Sequence, residues 1–235
     1  MSNIYLIRHG FTPANNANYN GQEELYTIAK DKDMPLEIEY GRKQALEMRN
    51  FFDTLKGKTL VLVSPYRRAK ETMELALPDK DNYEIVVREE LKEINSGVHY
   101  ATTKKRLWEL YPEIKEIHEK LLIDPLNTKY LNGESQNDVK ERVKSIALEI
   151  KKISEENTYS NILIFGHGTV NRWLSYWVTG KFIDYPPKNG EIIKLTRDGY
   201  ETVFIPKTFV PLGYTVDIDK HKELTNNWFF FYFMV

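Results

Sequence analysis

Two histidines in this chain end apolar runs and stand before glycine. Asn3-Ile4-Tyr5-Leu6-Ile7 leads into Arg8-His9-Gly10, and Asn161-Ile162-Leu163-Ile164-Phe165 leads into Gly166-His167-Gly168-Thr169. Each run reads as a short buried strand. Five histidines occur in 235 residues, so the recurrence of one arrangement outweighs chance. In open α/β sheets, chemistry collects at the carboxyl ends of strands. If the two strands are neighbours in one parallel sheet, both imidazoles face one crevice. A guanidinium beside an imidazole there is a receiver for phosphate. Taken alone, Arg8-His9-Gly10 reads equally well as a strand-end histidine and a surface arginine.

Further charged residues could join such a site. Arg67 and Arg68 fall in the first turn of an expected helix, where cations oppose the helix dipole unless an anion sits there. One of the two is expected to be solvated, and spacing alone does not choose which. Arg88–Gly97 carries Glu89, Glu90 and Glu93, any of which could give a proton or lie in solvent. Lys104, Lys105 and Arg106 form either a solvated helix start or a pocket rim. His118 lies beside the apolar side of its helix and is expected to be structural.

The elements that must position these residues follow from periodicity. After the first strand, residues 11–40 show no strong period and read as a long excursion on the active face, with a short helix near Glu23–Lys30. A helix is expected from Gly41 through Leu55, then a strand at 59–63. Ser64-Pro65 has the order of a helix cap and first helical residue, and Tyr66, Ala69, Met73 and Ala76 mark that helix's inner face. A strand at 84–87 follows. Residues 103–122 are helical in pattern, split by Pro112, with Leu107, Leu110, Ile114, Ile117 and Leu121 on one side. Ser135 with Asp138 predicts a capped helix running to about Asn157. Another opens at Gly168 or Thr169 and ends at Gly180. Arg197-Asp198-Gly199 joins two antiparallel strands, 191–195 and 200–205.

Composition sets outer bounds. There are 33 basic and 34 acidic residues, which gives no case for nucleic-acid binding by bulk charge. Cysteine is absent, which excludes disulfides and thiolate chemistry. No apolar run is long enough to span a bilayer, and a charged strand at the N-terminus is not a signal peptide. The expectation is a cytoplasmic protein with no membrane or nucleic-acid partner. The aromatic end, Trp228 to Val235, is expected to pack on the body or to form a homodimer contact.

The ordered motifs resemble the histidine phosphatase superfamily. Arg8-His9-Gly10 with Thr12 and Asn15 is similar to its signature. Asp33, Pro35-Leu36, Gly41 and Gln44-Ala45 follow in its order, then Ser64-Pro65 with Arg68, Ala69, Glu71 and Thr72. Leu91, Glu93, Ile94 and Gly97 resemble the acid-bearing block; Gly133-Glu134-Ser135, Val139 and Arg142-Val143 resemble a later helix. Gly166-His167-Gly168 resembles the block of the second histidine. The resemblance spans about residues 2–205 and leaves 206–235 as a family-unlike extension of one domain, 1–235. It implies an α/β, phosphoglycerate mutase-like three-layer sandwich, a mostly parallel central sheet with helices on both faces.

The same resemblance implies site roles. His9 is the nucleophile and is transiently phosphorylated. Arg8, Arg68 and His167 surround the phosphoryl group, with Asn15 and the amide of Thr169 as further donors. Glu93 is the general acid, Glu89 and Glu90 are bystanders, and Arg67 is the surface residue of its pair. No cofactor and no metal is implied. The chain departs from the pattern in a longer insert between Asn15 and Asp33 and in Val98-His99-Tyr100 after the acid block. His99, Lys104 and Lys105 are candidates for reading the substrate, and His99 is equally a surface residue. The short path from Gly97 to the Tyr111-Pro112 pair resembles the hydrolase arrangement and favours a phosphatase, and with no peptide groove or modular domain evident its expected substrate is a small phosphorylated metabolite. The alternatives are a 2,3-bisphosphoglycerate-dependent phosphoglycerate mutase and a noncatalytic module that binds phosphorylated ligands.

Overall fold

The structure is a computed structural model that describes residues 1–20, 29–77, 82–100 and 104–223. The side chains of residues 18–20 and 104–105 lie outside that description, as do the expected helix near Glu23–Lys30 over most of its length and the aromatic end of the chain. The central sheet has six strands: β1 (Asn3–Arg8), β2 (Thr59–Val63), β3 (Tyr83–Val87), β4 (Asn161–Gly166), β5 (Ile192–Thr196) and β6 (Gly199–Phe204). Their spatial order is β3-β2-β4-β1-β5-β6. The first four run parallel, while β5 pairs antiparallel with β1 and β6 antiparallel with β5.

Strand alternation explains the layers. Side chains along a strand point to opposite faces. Ile4 and Leu6 of β1 join one apolar cluster with the inner sides of α7 (Gln136–Glu156) and α8 (Gly168–Thr179). Tyr5 and Ile7 join the other, with α2 (Gly41–Glu47), α3 (Arg49–Thr54) and α4 (Arg67–Ala76). Both faces of β1, β2 and β4 are covered, so these strands carry continuous apolar runs.

Register then fixes the site. Asn3 to Arg8 pair in step with Asn161 to Gly166, and Thr59 to Val63 with Asn161 to Phe165. His9 and His167 therefore leave adjacent strands at one level. Ser64 leaves β2 one residue earlier, opposite Gly166. The expected neighbourhood of the two histidine strands holds.

Several expectations change. The helix from Gly41 breaks at Met48 into α2 and α3. In the excursion after β1, residues Pro13–Asn20 form α1, and Asp31–Asp33 make a 3-10 turn. α1 begins at Pro13, where a missing amide hydrogen costs a helix start nothing. Ser64-Pro65 is not a cap: α4 starts at Arg67 with Tyr66 before it and no side-chain cap. Pro112 does split the next stretch, into α5 (Lys104–Leu110) and α6 (Ile114–Ile123). Leu107 and Ile114 are buried, but Leu110 is exposed rather than inward. The capping box of Ser135 and Asp138 is present, and α7 ends on Asn157 at φ 55°.

Residues 206–223 lie against α2 and the excursion. The Glu47 carboxylate accepts from the amides of Lys207 (2.6 Å) and Thr208 (3.1 Å). Tyr214 donates to Glu37 Oε1 at 3.0 Å, and Asn16 Nδ2 donates to the Tyr214 carbonyl at 3.1 Å. Val216 packs on Ala17 beside Ala14 and Tyr100.

Candidate active site

The site builds outward from the turn after β1. Gly10 passes Gly41 so closely that a Cβ on Gly10 would stand 2.5 Å from the Gly41 carbonyl oxygen. A Cβ on Gly41 would stand 2.0 Å from the Phe11 oxygen. Glycine at both positions is a steric requirement. The Gly10 amide donates to Thr72 Oγ1 at 3.0 Å and the Phe11 amide to Gln44 Oε1 at 2.8 Å. The turn is thus bolted to α4 and α2.

That geometry orients His9. Its Nδ1 lies 2.7 Å from the Gly10 carbonyl oxygen, an acceptor, so Nδ1 carries the proton. The lone pair is on Nε2. Burial, then Arg68 and Arg8, hold the imidazole well below its ordinary pKa. Arg8 donates through Nη1 to the Pro187 carbonyl. Asn189 Nδ2 donates to the carbonyls of His9 (3.1 Å) and Gly10 (3.3 Å) and to Asn15 Oδ1 (3.2 Å). Asn15 Oδ1 also accepts from the amide and hydroxyl of Thr12. With its oxygen so engaged, Asn15 offers its amide hydrogens to a ligand.

The second histidine is set differently. His167 is fully buried, 5.2 Å from the His9 ring and 5.3 Å from the Tyr66 ring between centroids. Its Nε2 lies 2.8 Å from Ser64 Oγ, and Ser64 Oγ accepts from the Tyr66 amide at 3.3 Å. We assign the Ser64 hydroxyl as the donor to Nε2, which leaves the ring proton on Nδ1. His167 Nδ1 has no hydrogen-bond partner among the described residues. Burial, then Arg68, His9 and Arg8, push its pKa well down. Two neutral imidazoles in contact therefore hold the same Nδ1–H tautomer but leave different atoms unengaged, His9 its Nε2 lone pair and His167 its Nδ1–H. Of the flanking glycines, Gly166 is the tight one. A Cβ there would meet Asn171 Oδ1 at 2.8 Å, whereas at Gly168 the nearest atom is at 3.8 Å.

Glu93 stands across from this pair. Its Oε1 accepts from the Ile94 amide at 2.9 Å and Oε2 from the Thr169 amide at 3.3 Å. The Thr169 amide is therefore spent on the acid, which corrects its expected role as a phosphate donor. Arg142 holds the loop behind Glu93. It donates to the carbonyls of Glu90 (2.7 Å) and Lys92 (2.9 Å) and pairs with Glu134 through Nε (2.8 Å) and Nη2 (2.9 Å). Glu89 and Glu90 pair with Lys92 and Arg88 instead.

Arg8, His9, Asn15, Arg68, Glu93 and His99 line one cavity of about 280 Å³ with Asp31, Ser96 and Tyr100. His99 belongs to that wall, stacked on Tyr130 at 4.8 Å. His167 is not among the residues that line the cavity, and its buried ring meets the His9 ring at its edge. Lys104 and Lys105 open α5, and their side chains lie outside the described residues. Arg68 reaches the cavity across the Tyr66 ring, 4.9 Å from its centroid. Arg67 is not a surface residue: it is buried and paired with Glu71 at 2.7 Å, one helical turn on. Glu71 also accepts from the Leu36 amide at 2.7 Å. His118 bonds the Tyr130 hydroxyl at 2.9 Å, a structural contact. Among the described residues no group of three or more metal-ligating side chains forms.

Ser64, Tyr66, Arg142 and Asn189 escaped the sequence-based assignment of roles. The Arg67–Glu71 spacing of four was a signal for a paired arginine. Asn189 carries no such signal, because a loop 180 residues downstream places it.

A family model described as the histidine phosphatase superfamily (branch 1) matches residues 4–205. A relative named "Putative phosphoserine phosphatase 2" from Hydrogenobacter thermophilus is 28% identical over 170 residues, 72% of this chain and 74% of the relative. The alpha-ribazole phosphatase structure from Shigella flexneri superposes with TM-score 0.67 at 22% identity, covering 90% of this chain and all of that one. A mutant phosphoserine phosphatase from Entamoeba histolytica, in complex with phosphoserine, gives TM-score 0.62 at 19% identity over 88% of this chain and 98% of that one. At these identities the structural likeness shows the shared fold. No helix among the described residues is long and apolar enough to cross a membrane.

Proposed function

Because the chain belongs to the histidine phosphatase superfamily, we propose that it is a phosphatase that hydrolyses small phosphate monoesters through a phosphohistidine at His9. One observation carries this reading. The 2.7 Å bond from His9 Nδ1 to Gly10 leaves the Nε2 lone pair at a cavity shared by two guanidinium groups and a carboxylic acid.

The chemistry is a double displacement. The Nε2 lone pair attacks phosphorus, the P–N bond forms, and the P–O bond to the alcohol breaks. Glu93 gives its proton to the leaving oxygen. Phosphoryl transfer asks mainly for alignment and for charge around the equatorial oxygens. Arg8 and Arg68 supply guanidinium forks, and Asn15 and His167 Nδ1–H supply further donors. Water then attacks phosphorus with its proton passing to Glu93, the P–N bond breaks, and inorganic phosphate leaves. A depressed imidazole pKa serves the first step, because a protonated His9 has no lone pair to offer.

A cavity of about 280 Å³ lies at the small end of ligand sites. It suits a compact metabolite better than a protein segment. Relatives named for phosphoserine and alpha-ribazole phosphatase activity support the same substrate class for this chain. The test incubates the protein without added metal with a panel of esters. The panel includes phosphoserine and 3-phosphoglycerate with trace 2,3-bisphosphoglycerate. Phosphate release that disappears in His9→Ala supports the reading. Isomer interconversion without phosphate release would make the protein a mutase. Neither activity in a folded sample would leave a phospholigand-binding module.

A further inference from the structure

One carboxylate in the cavity has no part in the scheme above. Asp31 Oδ1 lies 2.9 Å from Arg68 Nη1, and the same nitrogen donates to the Asp31 carbonyl at 2.7 Å. Asp31 lines the cavity with Arg8, His9 and Glu93. The Arg68 side chain is 7% exposed and that of Asp31 is 27% exposed, so water screens this pair only in part. The segment behind Asp31 is anchored. Met34 is fully buried, and the Leu36 amide bonds Glu71, which is itself held by Arg67. The carboxylate is thus fixed beside the guanidinium expected to take a phosphoryl oxygen.

We propose that Asp31 competes with phosphate for Arg68 and sets how readily product phosphate leaves. This rests on the phosphatase reading. Two guanidinium groups and a buried N–H bind inorganic phosphate as well as the phosphoryl group of an ester. Tight product would stall turnover. A carboxylate at 2.9 Å neutralises part of the charge that phosphate sees on Arg68 and repels the dianion directly. When phosphate enters, the carboxylate gives up the guanidinium; when the P–N bond has broken, the carboxylate takes it back. No covalent step is involved.

The sign of the effect separates this role from support of the fold. If Asp31 merely orients Arg68, its loss weakens phosphate binding. If it competes, its loss tightens binding. The experiment titrates inorganic phosphate into the full chain by calorimetry, wild type against Asp31→Asn and Asp31→Ser, alongside the melting temperature of each. Both variants keep the backbone carbonyl contact to Arg68. The expected result is an inorganic phosphate Kd lowered roughly two- to fivefold, on the scale of one partly exposed ion pair. An unchanged or raised Kd in a folded variant overturns the proposal. Binding is read without turnover, so the two ideas fail separately. Tighter phosphate in Asp31→Asn from a protein that cleaves no ester would keep the competition and discard the phosphatase reading. Ester cleavage with unchanged phosphate affinity would do the reverse.

Discussion

Replacing Ser64 by alanine removes one hydroxyl from a place water cannot reach. Ser64 and His167 are both fully buried, and the bond between them is 2.8 Å long. Without the hydroxyl, His167 Nε2 has lost its donor. An unsatisfied buried polar atom costs about 1–3 kcal/mol, which in a chain of this size lowers the melting temperature by roughly 2–4 °C per kcal/mol. The ring has a second course open to it: moving its proton from Nδ1 to Nε2. A lone pair would then face the phosphoryl oxygen where an N–H stood before. Loss of a donor to transition-state charge costs about 10²–10³ in kcat. The Nδ1–H tautomer stays accessible in Ser64→Ala, so the expected loss is smaller, about 10- to 100-fold. Steady-state hydrolysis of 4-nitrophenyl phosphate reads the rate. Nitrogen-15 shifts of the His167 ring read the tautomer directly. A folded Ser64→Ala protein with kcat within about twofold of wild type, or with an unchanged Nδ1–H tautomer, would refute the role given to Ser64.

Three further outcomes follow from the geometry. His9 and His167 both have folded pKa values driven down by burial and by arginine, so the unfolded chain takes up protons first as pH falls. Stability should hold above about pH 6.5 and decline below it, by up to about 1.4 kcal/mol per pH unit for each histidine. Urea unfolding between pH 7.5 and 5 should show a shallower decline in His9→Gln, and an identical slope would contradict the assignment. Gly41→Ala forces a Cβ to 2.0 Å from the Phe11 oxygen. The Phe11 turn must shift, and circular dichroism melts should show destabilisation with loss of phosphate binding; a wild-type melt would count against the contact. Arg142→Lys keeps charge but gives up the fork on Glu134 and the bonds to the Glu90 and Lys92 carbonyls. It should lower kcat about tenfold through a misplaced Glu93, on the scale of one or two charge-assisted bonds, with phosphate Kd unchanged. An equal change in both would place Arg142 elsewhere in the mechanism.

The strands and the two histidines were legible because they rest on local signals. An apolar run ending in His-Gly is visible at Ile4–Gly10 and again at Ile162–Gly168. The parallel register between those runs supplies the rest. Arg67 was misjudged because a cation in the first turn reads as solvated, while its partner Glu71 lies one turn on within the same helix. Ser64 was misjudged for a related reason. Ser-Pro is a common helix start, but here the chain is extended at Tyr66 and the serine turns to the histidine that follows β4. Asp31 and Asn189 were illegible. Each is a polar residue in a loop, and its meaning comes from contacts made across long stretches of sequence. The break at Met48 is equally a tertiary effect: a single helix pattern yields there to two helices that meet the core differently.

The position of β1 has a consequence for how the molecule comes into being. β1 is Asn3–Arg8, yet its two neighbours in the sheet are β4, at Asn161–Gly166, and β5, at Ile192–Thr196. Of the six strands, the one made first therefore waits for the fourth and fifth. At about 5–20 residues per second, roughly 10–30 s pass before the pairing edge of β4 exists. Through that interval Ile4 to Ile7 present an unsatisfied apolar edge, while β2 and β3 have one another. Closure of β4 between β1 and β2 is the long-range step that also brings His167 beside His9. Insertion of β4 and the meeting of the two histidines are then one event, so any delay in translation before residue 166 prolongs exposure of the strand that leads into His9.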